Sequence, residues 1–320
     1  MIRAAALFTL APAVAGAFEL SFPVGCDLGK TCYIQQFVDH DPGPAAKDYT
    51  CGPLSYNGHD GTDIALPTLS DMTAGVAVLA AAPGTVKGRR DGMPDISVSD
   101  PAAPDVANLE CGNGVLIDHG GGWETQYCHL RQGSVTARVG DLVVPGTPLG
   151  MVGMSGMAEF PHLHLSVRYN GVELDPFAPQ TTTCNADPNL VASGMWRTPI
   201  PYAAGGILKI GLSTEVPQYA AIKAGLPQPT IKPDAPALVI WAFLFGGRSG
   251  DVVQLAISGP GGAVISDQVT LKKTQAQLFQ AIGKKRKFAV WPTGNYRATA
   301  ELVRDGTMIS AQTLDIQIEN

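Results

Sequence analysis

Histidine and leucine alternate at 162–165, and the alternation runs on through Ser166, Val167, Arg168 and Tyr169 into Asn170-Gly171. A period of two closed by Asn-Gly predicts a β-strand entering a tight hairpin. Both histidines then share one face, while Leu163 and Leu165 pack the other. Upstream, residues 115–119 and 123–127 flank Gly120, Gly121 and Gly122 and predict a hairpin, and 76–87 reads as strand, turn and strand. Residues 139–149 alternate turn and apolar positions and predict a further hairpin leading to the His pair. Around His59 the poor helix formers Gly58, Gly61 and Thr62 favour an extended loop or strand end. Residues 89–111 are polar, rich in Pro and Asp and without periodicity, which predicts an insertion loop.

Short strand patterns return at 238–245, 252–258, 264–271, 288–291, 296–304 and 308–318, with one or two helical turns expected at 274–282. Strands at this spacing predict a small immunoglobulin-like β-sandwich over 236–320. Between the two strand-rich regions, 181–235 reads as a Pro-rich connector. At the other end, Arg3, an apolar run over 4–15 and the small residues Ala15-Gly16-Ala17 predict a secretory signal over 1–17, followed by a domain at 18–180. The apolar run is too short to span a bilayer comfortably, so no stable membrane insertion is expected after cleavage.

Composition narrows the class. With 37 Gly and 25 Pro in 320 residues, turns and short strands are favoured over long helices, giving a mainly β fold. A net charge of -6 gives no basic footprint for nucleic acid and no electrostatic pull toward a polyanion. The six cysteines are an even number, as a disulfide framework in an exported protein requires; no CxxC is present to suggest a thiolate metal site. Cys111 and Cys128 bracket the 115–127 hairpin almost symmetrically, which predicts their pairing. The other four allow three connectivities, with Cys184 expected to tie back to the N-terminal region.

The candidate chemistry starts from the His pair. Two imidazoles on one strand face can serve as a metal ligand and a neighbouring acid/base, and partners lie upstream in His59-Asp60-Gly61-Thr62-Asp63 and in Tyr127-Cys128-His129-Leu130. Catalytic zinc takes three protein ligands and keeps a fourth position open; His59, Asp63 and His164 supply such a set. No HExxH occurs, which excludes the helix-borne site with a Glu base. Four bystanders are set aside: His40 as a solvated turn residue, His119 as a solvent-facing strand end, Met151, Met154 and Met157 as a flexible apolar loop, and Lys284-Lys285-Arg286-Lys287 as a solvated basic loop.

The ordered motifs HDGTD, YCHL and PHLHLSVRYNG, closed by Asp175-Pro176, resemble those of the lysostaphin-like (LytM-type) zinc metallopeptidases over about 52–177. The resemblance implies a mainly antiparallel β-sheet crossed by a groove, one zinc ion per chain on His59, Asp63 and His164, and catalytic histidines at His129 and His162. The 89–111 loop is expected near one end of that groove, either shaping substrate access or serving as a surface loop with no role. The resemblance further implies an exported, periplasmic or extracellular endopeptidase that cuts stem or bridge peptides of bacterial peptidoglycan through a zinc-activated water. The rival reading is a non-catalytic envelope regulator that binds peptidoglycan or activates another wall hydrolase, as in family members that have lost metal ligands. Here all five positions are present.

Overall fold

The computed structural model describes residues 18–184 and 194–319, so the expected leader at 1–17 lies outside the described residues, as does part of the expected connector. Two lobes follow one another along the chain. The first is built on strands β1 (Tyr33–Gln36), β2 (Thr62–Ala65), β4 (Gly84–Arg90), β5 (Asn113–Gly120), β6 (Trp123–Leu130), β7 (Leu142–Val143), β9 (His162–Tyr169) and β10 (Val172–Leu174). Their spatial order is β1-β2-β9-β6-β5-β4-β7, antiparallel throughout, with β10 paired to β9.

Register decides which side chains face the groove. Asp63 of β2 and Cys128 of β6 both stand opposite His164 of β9, and Ala65 stands opposite His162. On the other face Ile64 meets Leu163 and Tyr127 meets Leu165, all sealed in the main apolar cluster. Because the side-chain period of a strand is two, a slip of one residue would turn the histidines into the apolar cluster and the leucines to the groove face.

The remaining first-lobe elements are β3 (Ala77–Leu79), which pairs with β8 (Pro148–Met151), and helix α1 (Leu69–Ala74), capped by Thr68. The hairpin expected at 139–149 does not form: β7 pairs with β4 while β8 pairs with β3. The chain turns through Pro145-Gly146 to pass from one sheet to the other.

The second lobe has a three-stranded sheet, β11 (Gly206–Ser213), β12 (Ala237–Gly247) and β15 (Gln275–Lys285) in that order. Its other sheet runs β14 (Gly262–Thr270), β13 (Val252–Gly259), β16 (Gly294–Arg304), β17 (Thr307–Ile318), and one apolar cluster fills the space between the two. Three local expectations differ here. Residues 206–213, read within the connector, form a strand paired along β12, and helix α2 (Tyr219–Ala224) follows. Of residues 274–282, read as helical turns, 275–282 lie in β15, because β12 offers a ladder along its whole length. Residues 288–291 form no strand; Trp291 is buried and its indole Nε1 donates to Ala235 O at 2.9 Å.

The lobes touch along the edge of the first sheet. β12 is buried on both faces: Leu238, Ile240, Ala242 and Leu244 face the second-lobe core, while Phe245 packs on Tyr33 and Ala65. That explains its nearly unbroken apolar run. Gln277 Nε2 donates to Tyr33 Oη at 2.8 Å and to Gln35 Oε1 at 3.3 Å, and Gln35 Nε2 donates to Ala276 O at 3.1 Å.

Three disulfides staple the first lobe: Cys26–Cys32, Cys51–Cys184 and Cys111–Cys128. The second spans 133 residues, so its removal restores the most freedom to the unfolded chain. Replacing Cys51 and Cys184 together by serine is expected to lower unfolding stability by about 2–5 kcal/mol, read by denaturant titration. An unchanged midpoint would show that the bridge carries no stability.

Candidate metal and catalytic site

Three strands and one turn deliver five side chains to one spot. Asp63 comes from β2, His162 and His164 from β9, and His59 from the turn before β2. His129 needs a special device, since strict alternation along β6 would send it to the core with Tyr127. At this point two residues of β6, Cys128 and His129, face the single Gly114 of β5, and His129 adopts φ +61°. This bulge turns the imidazole to the groove side. A Cβ on Gly114 would sit 2.6 Å from Tyr127 O, so the bulge needs glycine there. His129 N also donates to Cys111 O at 2.8 Å, and the Cys111–Cys128 bridge holds that contact in place.

His59 Nε2, Asp63 Oδ1 and His164 Nδ1 converge, with separations of 3.1, 3.2 and 2.9 Å. The set fits a divalent metal: zinc ligands about 2.0–2.1 Å from the ion in a tetrahedral arrangement stand roughly 3.3 Å from one another. The outer contacts fix the lone pairs. His59 Nδ1 donates to Phe37 O at 2.6 Å, which leaves Nε2 as the donor atom toward a metal. His164 Nε2 lies 3.2 Å from Asp60 Oδ1 and 3.1 Å from Ser166 Oγ, leaving Nδ1 for the metal.

Electrostatics agree with a cation at this point. Burial raises the Asp63 carboxyl, but His59, His162 and His164 outweigh it and hold the group well below the ordinary carboxylate range. Burial lowers His164, yet hydrogen bonds to Asp60 and Asp63 push it up to about 9. The carboxylates therefore demand positive charge where the three donors meet.

His129 and His162 are placed differently. Their rings lie 4.6 Å apart, centre to centre, and both are buried. His129 Nδ1 donates to Ser155 O at 2.7 Å and His162 Nδ1 to Phe160 O at 2.8 Å. A carbonyl only accepts, so each Nδ1 carries the proton and each neutral ring presents a bare Nε2. Burial, reinforced by its histidine neighbours, pushes His129 well below its ordinary value; burial also lowers His162, against the pull of Asp63. His162 Nε2 stands 3.6 Å from Asp63 Oδ1, so the pair borders the metal-binding donors.

Several neighbours escaped the sequence. Phe37, Ser155 and Phe160 act through backbone carbonyls, which no residue type announces. Asp60 lay inside the HDGTD motif, but only the fold shows it meeting His164. Tyr56 packs on His59 with ring centres 4.4 Å apart. His40 is buried rather than solvated: its Nε2 pairs with Asp175 Oδ2 at 2.9 Å. That pair pins the segment whose Phe37 carbonyl orients His59. His119 is likewise engaged, with Nδ1 2.7 Å from Pro83 O and Nε2 2.7 Å from Thr125 Oγ1. Of Met151, Met154 and Met157, the second is buried and only the third is exposed.

Gly61 gives a sensitive check on this packing. A Cβ there would collide with the His164 ring and lie 2.8 Å from Leu165 O. Gly61→Ala is expected to displace His164 and lower zinc affinity by roughly 10–100-fold, as loss of an outer-shell partner does. Competition with a chelating dye measures it; unchanged affinity would mean that His164 does not hold the metal.

Residues 57–176 match the family described as Peptidase family M23. This segment is a peptidase family M23 domain. The match takes in His59, Asp63, His129, His162 and His164 and leaves the second lobe outside it. The M23 domain is 34% identical over 120 residues to the DD-carboxypeptidase/endopeptidase Mpg of Neisseria meningitidis serogroup B, covering 37% of this chain and 22% of that protein. It is 39% identical over 80 residues to the cell division protein DipM of Caulobacter vibrioides, covering 25% of this chain and 12% of that one. The chain thus spans about a fifth or less of the length of these relatives. Among solved structures, the catalytic domain of the antimicrobial peptidase lysostaphin from Staphylococcus simulans is 22% identical, with a TM-score of 0.27, covering 37% of this chain and 76% of that one.

Proposed function

We propose that this chain is an exported zinc metalloendopeptidase that hydrolyses peptide cross-links of bacterial peptidoglycan. The observation that carries the reading is the convergence of three metal-suited donors with two neutral imidazoles whose Nε2 atoms are bare. A purely structural zinc site would be closed by a fourth protein ligand. Support for the substrate comes from the curated relative named as a DD-carboxypeptidase/endopeptidase, and three disulfides suit an oxidising compartment.

His59, Asp63 and His164 would hold one zinc ion, and Asp63 leaves the site with net positive charge. Bound there, zinc supplies Lewis acidity toward a carbonyl and makes water a nucleophile near neutral pH. His129 and His162 handle the proton. Each offers a neutral Nε2 to accept it, and the resulting imidazolium can donate to the developing oxyanion or the leaving amine. The carbonyls of Ser155 and Phe160 keep both rings oriented throughout.

The test incubates the zinc-loaded chain from residue 18 onward with purified peptidoglycan, beside an Asp63→Ala control, and weighs the released fragments. New free amino and carboxyl termini from the unsubstituted protein alone establish the endopeptidase, and the masses name the bond. Equal binding by both proteins without release would sink the catalytic reading and favour the envelope regulator.

A further inference from the structure

A cavity of about 350 Å³ opens beside Phe160, whose ring stacks on His162 with centres 4.5 Å apart. Both lobes build it. The first contributes an apolar floor of Pro67, Leu69 and Phe160, together with Ser97 and Asp100 from the long loop between β4 and β5. The second contributes Lys223 from α2 and Gln277 from β15. Gln277 is fixed by its bonds to Tyr33 and Gln35, which hold the second lobe against the sheet edge next to the site.

Charge is divided between the walls. Lys223 is half-buried above the Tyr219 ring, 5.6 Å from its centre, and Asp100 and Glu159 come from the first lobe. No ion pair joins Lys223, Asp100 or Glu159 to any partner among the described residues. Asp100 Oδ1 accepts from Ala102 N at 2.8 Å, but an ammonium on one wall and carboxylates on the other, none with an ion-pair partner among the described residues, suit a ligand carrying both signs.

Resting on the endopeptidase reading, the geometry points to a substrate subsite between the lobes that takes a peptide segment bearing a free carboxylate and a free ammonium. Lys223 holds the carboxylate, Glu159 with Asp100 holds the ammonium, and the apolar floor carries the aliphatic part between them. The second lobe is then part of the binding groove, and the insertion loop is its facing wall. A polyanion is disfavoured, since the two carboxylates outnumber the one ammonium.

The experiment uses the zinc-loaded chain carrying His129→Ala, so that peptides are bound without turnover, and titrates three probes by calorimetry or NMR. These are tri-alanine with both ends free, its C-terminal amide and its N-acetyl form. The free form is expected to bind about tenfold more tightly than either capped form, the strength of one hydrogen-bonded charge contact. Lys223→Gln removes the advantage over the amide alone, and Glu159→Gln removes the advantage over the acetylated form alone. Both residues lie on accessible surface, so each variant checks the other against loss of folding. If neither substitution changes either ratio, the carboxylate is held elsewhere, the metal included, and the subsite is overturned. Peptidoglycan cleavage by the unsubstituted chain is measured in parallel. Cleavage with unchanged ratios overturns the subsite alone, whereas shifted ratios without cleavage uphold the subsite and overturn the endopeptidase reading.

Discussion

His164→Ala, and still more Asp63→Ala, is expected to leave the purified protein without stoichiometric zinc. Each removes one of three donors that meet within 3.2 Å, and each leaves its partners facing a gap. Asp63 is the graver loss, because the donor set then carries no negative charge to balance a divalent ion. The affinity loss should exceed the roughly 10–100-fold that an outer-shell substitution costs. Metal content after dialysis, measured by mass spectrometry, reads the result directly. Zinc retained at one ion per chain in His164→Ala would overturn the ligand assignment. Asp175→Ala belongs to the same argument with a smaller effect, since it frees buried His40 and loosens the segment that orients His59 through Phe37 O.

His129→Ala and His162→Ala behave in the opposite way, keeping zinc and losing turnover. Neither ring belongs to the converging donor set, and each is anchored by a carbonyl of its own. Removal of a positioned proton acceptor is expected to lower kcat by about 10² or more, with KM changed far less. The pH dependence follows from the same environment. Burial lowers both histidines below the ordinary 6.5, so they stay neutral and able to accept a proton as the pH falls past that value. A bound cation would lower them further. The acid limb of kcat/KM should therefore lie below pH 6.5, and a limb centred above 7 would contradict neutral acceptors. The contribution of these two groups to stability has the same sign: the unfolded chain takes up their protons first, so that contribution is complete above about 6.5 and falls as the pH drops below it. If either variant also lost zinc, the separation of binding from proton transfer would fail.

Much of the site is local information. HDGTD, YCHL and PHLHL announce themselves because metal and proton chemistry restricts residue type, and the His-Leu alternation assigns a strand and a common face without any tertiary knowledge. The Cys111–Cys128 pairing is equally local, since a hairpin brings its two ends together wherever it sits. Alternating apolar positions likewise specify most of the second-lobe strands. Where the reading went astray, a distant partner decided. Residues 206–213 and 275–285 are strands because β12 pairs with both, and their own propensities do not compel it. His40 looked like a turn residue among carboxylates until Asp175, 135 positions away, buried it.

What the sequence by itself determined is the inventory of the candidate site, its strand-borne His pair and the mainly β character, because period and residue type are properties of short stretches. What only the tertiary structure decided is how those pieces meet. The Asp63–His164 register, the bulge that turns His129 toward the groove, the carbonyls that set each tautomer and the cavity shared by the lobes all depend on backbone groups or on residues far apart in the chain. A carbonyl is the same atom pair in every residue, so its role becomes visible only when folding gives it a partner.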